Sequence, residues 1–164
     1  MSRAVLIYNP VAGPQFPSSQ RRTDPDWLTD TVAYLERQGG VIEAVAAESP
    51  QAISAIARRA ASESAELVIA AGGDGTLRAV ADGLAGTQTA LGILPRGTVN
   101  VFARECGIPL DDLRAACDLC LAGTIRRLDL GRIDGHHKIK LMISNGRSEI
   151  ADMVHPFNNR SALV

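Results

Sequence analysis

Short, nearly uninterrupted apolar runs recur through the first 94 residues, at positions 4–8, 41–46, 67–71 and 90–94. A run without polar alternation fits a strand covered on both faces, as in a parallel sheet between helices. The segments between them carry a different period. Leu28, Thr31, Val32 and Leu35 form one stripe at helical spacing; Ile53, Ile56, Ala57 and Ala60 form a second; Leu77, Val80, Ala81 and Leu84 form a third. Ser49-Pro50 is a good helix entry, a capping oxygen followed by a proline at the first helical position. Gly39-Gly40 is a good exit from the first helix. A further helix is predicted over 111–121. Residues 125–133 and 138–143 flank Asp134-Gly135, which predicts an antiparallel hairpin.

The pattern predicts a doubly wound, mostly parallel α/β domain over residues 1–143, ending in a β-hairpin, with ligands at the carboxyl ends of its strands. Residues 13–25, rich in Pro, Ser and Gln and carrying Arg21-Arg22, read as a mobile loop after the first strand. Beyond Ile143 the character changes. Residues 144–164 are polar, contain Pro156 and Asn158-Asn159, and show no period, so an atypical, poorly ordered or weakly attached tail is expected.

Composition narrows the function classes. With 46% hydrophobic and 21% charged residues the chain is globular, and its net charge of −1 argues against nucleic-acid binding through overall charge. Three cysteines and no export signal suit a reduced, cytoplasmic protein. Arg3 is followed by only five apolar or aromatic residues before Asn9-Pro10, too few for a signal-peptide core, and no run reaches the roughly 18 residues of a membrane span.

The candidate chemistry lies in three turns. Residues 67–71 run straight into Gly72-Gly73-Asp74-Gly75-Thr76, and the third helix follows at once. A strand, a glycine turn and a helix start make an anion site, because the backbone can approach a phosphate and the free amides face it. Asp74 is odd in such a site unless it accepts a hydroxyl hydrogen bond, contacts a magnesium shell, moves a proton, or simply caps the helix. The turn matches neither the dinucleotide fingerprint nor the P-loop. Tyr8-Asn9-Pro10-Val11-Ala12-Gly13 ends the first strand, and Pro95-Arg96-Gly97-Thr98-Val99-Asn100 follows the fourth. All three turns fall at carboxyl ends of predicted parallel strands and can converge on one crevice.

These motifs resemble those of the diacylglycerol kinase catalytic-domain family, which includes bacterial lipid kinases and sphingosine kinases. The resemblance rests on the Asn-Pro-x-x-Gly turn, the Gly-Gly-Asp-Gly-Thr loop and the Pro-x-Gly-Thr-x-Asn segment running on to Ala103-Arg104. Leu128-Asp129-Leu130-Gly131 is similar to the family's passage into its second domain. It implies a phosphofructokinase- and NAD-kinase-like nucleotide fold. The implied reaction transfers the ATP γ-phosphoryl to a lipid alcohol, diacylglycerol or a related lipid, with Mg2+ as cofactor. Carried over by position, Asn9, Gly72, Gly73, Gly75 and Thr76 would hold phosphates or ribose, and Thr98 and Asn100 would face the nucleotide. Asp74 would be the catalytic carboxylate, orienting the reacting groups or sharing the magnesium shell, with Asp129 supporting that shell. The chain would visit a membrane surface transiently as a peripheral protein, with a homodimer as an option and no nucleic acid.

Three departures qualify the match. Ala12 stands where many relatives have serine, and Val101 where many have aspartate. Relatives continue into a second, mostly β domain that residues 144–164 do not resemble, so this chain is expected to bind nucleotide weakly and turn over poorly. The rival readings are an NAD kinase-like enzyme, which shares the glycine loop and fold, and a non-catalytic nucleotide-binding remnant. The Asn9-Pro10 turn and Gly97–Asn100 segment favour the lipid branch. Cys117-Asp118-Leu119-Cys120 has redox and metal spacing, but Leu113, Ala116, Cys117 and Cys120 share one helical face, which favours a packed helix. His136-His137 reads as a solvated hairpin tip, and Arg21-Arg22 and Arg126-Arg127 as solvated faces. Arg96 and Arg104 flank the third turn as candidate phosphate cations, Arg104 alternatively closing a short helix.

Overall fold

The computed structural model of the chain describes residues 3–11, 26–133, 138–141 and 160–163. Four parallel strands, β1 (Arg3–Tyr8), β2 (Val41–Ala46), β3 (Leu67–Gly72) and β4 (Ala90–Pro95), lie in the order β2-β1-β3-β4. The connecting helices are α1 (Trp27–Arg37), α2 (Pro50–Ser62) and α3 (Asp74–Leu84), followed by the short α4 (Val101–Glu105) and by α5 (Leu113–Ala122). The doubly wound, mostly parallel fold is as the patterning predicts.

Alternation along each central strand explains the uninterrupted apolar runs. Val5 and Ile7, Val68 and Ala70, and Leu91 and Ile93 point into one core with α2 and α3. Ala4 and Leu6, Ile69 and Ala71, and Leu94 point into a second core with α1 and α5. Both faces of β1, β3 and β4 are therefore dry. β2 departs from the expectation of two covered faces. It is the edge strand, paired only with β1, and of its six residues Ile42 alone is buried. Its Glu43 meets Arg3 at 3.0 Å and Arg59 at 3.8 Å, exposed pairs worth little individually.

The helix stripes are also met. Thr31 and Leu35 are buried on α1, and Ile53, Ala57 and Ala60 on α2. Ser49 caps α2 by accepting from the Ala52 amide at 3.2 Å, and Asp112 caps α5 by accepting from Ala115 at 3.0 Å. Gly39, at φ +94°, turns the chain out after α1 in the left-handed region that favours glycine. Gly83 on α3 lets α2 approach closely, since a Cβ there would strike the Ser54 carbonyl and the Ala57 Cβ. Gly83→Ala should therefore destabilise the fold by about 1–3 kcal/mol, the range for overpacking, read as a lower denaturant midpoint at unchanged slope.

β5 (Arg127–Ile133) and β6 (Lys138–Leu141) pair antiparallel, as the hairpin expectation requires; their turn, with Asp134-Gly135 and His136-His137, lies outside the described residues. One strand comes from the segment that showed no period. β7 (Arg160–Leu163) lies between β4 and β5, antiparallel to β5 from Arg127↔Leu163 to Leu130↔Arg160, and meets β4 at Ala90↔Leu163. Residues 12–25, including Arg21-Arg22, also fall outside the described residues.

Candidate functional site

The direction of winding places the site. From β1 the chain steps to β2 on one side and later to β3 on the other, so a crevice opens beyond the carboxyl ends of β1 and β3. A cleft of about 300 Å³ is found there, lined by Asn9, Glu48, Pro50, Ile53, Gly73, Gly75, Thr76, Gly97 and Thr98. It gathers the turns after all four parallel strands. Five residues singled out in the sequence, Asn9, Gly73, Gly75, Thr76 and Thr98, share its wall.

Each turn is shaped for this position. The Asn9 side-chain oxygen accepts from the Val11 amide at 3.0 Å, and its amide group reaches toward the Glu48 carbonyl at 3.5 Å, joining the turns after β1 and β2. Gly73 is the N-cap of α3, with extended backbone and no side-chain cap bond, which leaves the first amides of an 11-residue helix for a ligand. A Cβ on Gly75 would meet nothing within 4 Å, so this backbone is open to a ligand. Gly72 is buried behind the loop, where a Cβ would collide with Thr76 Oγ1.

The loops after β3 and β4 are in backbone contact. A Cβ on Gly97 would strike the Gly73 Cα, and one on Gly73 would lie 3.1 Å from the Gly97 Cα. The Arg96 amide donates to the Gly72 carbonyl at 2.9 Å, extending the β3–β4 ladder into the turns. Asp74 and Asn100 do not line the cleft. The Asp74 carboxylate accepts from the Val101 amide at 3.1 Å through one oxygen and from the Phe102 amide at 3.1 Å through the other. Asn100 is buried at 4% exposure and bonds to both backbone groups of Gly97, accepting from its amide at 3.0 Å and donating to its carbonyl at 2.8 Å. Asp129 lies in β5, and its side chain is outside the description.

The candidate cations are engaged elsewhere. The Arg96 guanidinium sits 4.1 Å from the Trp27 ring centre, and Trp27 meets Tyr8 edge-on at 6.0 Å. Arg104 donates to the Val99 carbonyl at 2.9 Å. Cys117 is buried, and Cys120 donates weakly to the Ile93 carbonyl at 3.7 Å, so the Cys-x-x-Cys helix packs on the sheet. Among the described residues no three His, Cys, Asp or Glu side chains gather as a metal cage. No described helix is long and apolar enough to cross a membrane.

Glu48, Pro50 and Ile53 were not anticipated. The rule that ligands bind at strand ends applies equally to the turn after β2, but Glu48 carries no glycine motif to mark it. As built, the cleft offers open amides, a helix N-terminus and hydroxyls of Thr76 and Thr98. These are groups for phosphate oxygens, with Glu48 an acceptor suited to hydroxyls.

Comparison with known proteins agrees with the fold and with the family the motifs resemble. The family model described as diacylglycerol kinase catalytic domain matches residues 3–133. The chain is 35% identical over 143 residues to a diacylglycerol kinase of Bacillus subtilis, covering 86% of this chain and 45% of that protein. It is 34% identical over 151 residues to one of Staphylococcus saprophyticus, covering 91% and 47%. It thus spans about half the length of these curated relatives. A diacylglycerol kinase crystal structure from Bacillus anthracis superposes with a TM-score of 0.61 at 24% identity, over 79% of this chain and 45% of that one. A second structure from that organism gives 0.63 at 25% identity over 83% and 47%.

Proposed function

The chain belongs to the diacylglycerol kinase catalytic domain family, and we propose that it supplies the ATP-binding half of a lipid kinase. The observation that carries this reading is the convergence of Asn9, Gly73, Gly75, Thr76 and Thr98 on one cleft at the switch point of a parallel sheet. In this reading the amides after Gly73 and the Thr76 and Thr98 hydroxyls hold phosphate oxygens, while Asn9 and Glu48 form the opposite wall. Phosphoryl transfer demands mainly positioning and charge neutralisation, which amides on a rigid sheet supply. Asp74, bonded to the Val101 and Phe102 amides, would act on the reacting groups only by holding the loops around them.

The described cleft would hold a magnesium ion mainly through the phosphate oxygens of the substrate. The ion dehydrates reluctantly and is usually held by one or two carboxylates plus substrate oxygens rather than by a protein cage. Glu48 is the carboxylate residue of the described cleft wall, and Asp74 and Asp129 are the candidates named from the resemblance. When bound, the ion supplies neutralisation of phosphate charge.

The acceptor would be diacylglycerol or a related lipid alcohol met at a membrane surface. The first test is thermal unfolding of this chain with and without magnesium-ATP. Ligand at 100 times its dissociation constant should add about 2.7 kcal/mol of stability. No shift at millimolar nucleotide would remove every ATP-site reading. Labelled γ-phosphate offered with diacylglycerol and with NAD then decides the acceptor: label on NAD and on no lipid would replace this reading by the NAD kinase one.

A further inference from the structure

Two side chains named from the sequence as ligand contacts are directed away from the cleft and join the loops that form it. Asp74, on the first turn of α3, accepts from the amides of Val101 and Phe102 across 27 and 28 residues of chain. Asn100 stands in the left-handed region at φ 52°, ψ 51°, buried, with its amide closed on both backbone groups of Gly97. Between these bonds lies the Gly73–Gly97 backbone contact, too close for a side chain on Gly97 and tight for one on Gly73. Phe102 and Ala103, which follow directly, are buried in the core beneath α3, so the clamp is anchored at its far end.

We propose that Asp74 and Asn100 are positioning residues that fasten the turns after β3 and β4 into one phosphate-facing cradle, by direct bonds that need no bridging metal ion. Four observations support it. Both Asp74 oxygens accept from backbone amides, and a charged acceptor makes such bonds strong. The same carboxylate that would repel a phosphate is turned to amides at the start of α4, beyond the neighbouring turn. Asn is among the few side chains tolerated at positive φ, and its amide here satisfies a backbone donor and a backbone acceptor together. Position 101 is valine, so only its backbone N–H contributes. The effect on nucleotide affinity rests on the proposed function; the clamp itself does not.

The test uses the whole chain in EDTA and in magnesium, with Asp74→Asn and Asn100→Gly. The asparagine at 74 presents one acceptor and one donor to two donors, and the glycine at 100 keeps the left-handed backbone while deleting the amide. Amide hydrogen exchange over residues 97–102 should accelerate roughly 10- to 100-fold in Asp74→Asn, as for loss of a hydrogen bond to a charged group. The acceleration should be equal in EDTA and magnesium. Affinity for a non-hydrolysable ATP analogue should fall in both variants without a shift in the magnesium midpoint. Unchanged exchange in both variants overturns the clamp. A shifted magnesium midpoint at unchanged exchange overturns it in favour of a metal ligand. Faster exchange with unchanged affinity overturns the positioning role. If the parent chain binds no nucleotide, the functional reading fails, while the exchange result still upholds or overturns the clamp. Should Asp74→Asn not fold, Asn100→Gly decides by the same readouts.

Discussion

Gly97→Ala is expected to weaken nucleotide binding by roughly 10- to 100-fold, the loss of about one hydrogen bond to a charged phosphate. A Cβ at Gly97 strikes the Gly73 Cα and comes within 2.8 Å of Asn100 Oδ1 and 3.1 Å of the Gly73 amide nitrogen. None of these neighbours is the end of a flexible side chain. Gly73 is backbone at the start of α3, and Asn100 is held by its own bonds to Gly97. The two turns must part, and the amides facing the cleft part with them. Positioning chemistry is sensitive to this: a displacement of about 1 Å costs on the order of 100-fold in rate. Overpacking alone should lower stability by about 1–3 kcal/mol. Titration with a non-hydrolysable ATP analogue, set beside a urea melt, measures both effects. Parent-like affinity in Gly97→Ala would show that the Gly73–Gly97 contact does not shape the nucleotide site.

The second large effect is alkaline. Burial, helped by the nearby negative charges of Asp118 and Asp112, pushes the Cys117 thiol up from 9.0 to about 11. Burial raises Cys120 to about 12, with the neighbouring Cys117 adding to the shift. A thiol in the unfolded chain loses its proton near pH 9, whereas these keep theirs in the folded state. The unfolded chain then binds fewer protons, so stability is intact below pH 9 and falls as pH rises toward 11 and 12. Each thiol contributes about 1.4 kcal/mol per pH unit within that window. Urea unfolding at pH 8 and pH 10.5 should show a fall of several kcal/mol in the parent and a much shallower one in Cys117→Ala/Cys120→Ala. Parallel falls would assign the alkaline loss to other groups.

The sheet was legible because its central strands are dry on both sides. Leu6, Ile69 and Leu94 serve one core and Ile7, Val68 and Ile93 the other, which leaves an unbroken apolar run in the sequence. β2 has a similar run but lies at the edge, and composition does not distinguish an edge strand from a central one when its partner is set by winding order. β7 was invisible for a different reason. Four residues, Arg160–Leu163, are too few to show a period, and their place between β4 and β5 is fixed by pairing with distant strands.

The site divides along the same line. Asn9, Gly73, Gly75, Thr76 and Thr98 could be placed at the crevice because strand-end turns converge by topology. What Asp74 touches could not be read. Its partners at Val101 and Phe102 contribute only backbone amides, which any residue type but proline carries, so no side-chain pattern records the contact. Asn100 likewise turned inward, its backbone at positive φ and its amide bonded to the backbone of Gly97 three residues back. Glu48 entered the wall through the turn after β2, which has no motif of its own.

The most direct measurement is the backbone amide spectrum of the chain through a magnesium-ATP titration. The largest saturable shifts should fall on Gly73, Gly75, Thr76, Gly97 and Thr98, with Asn9 following and the opposite end of the sheet, around Arg3 and Glu63, unmoved. Saturation without shifts at Gly73–Thr76, or shifts centred away from the ends of β1, β3 and β4, would contradict the assignment of this cleft as the nucleotide site.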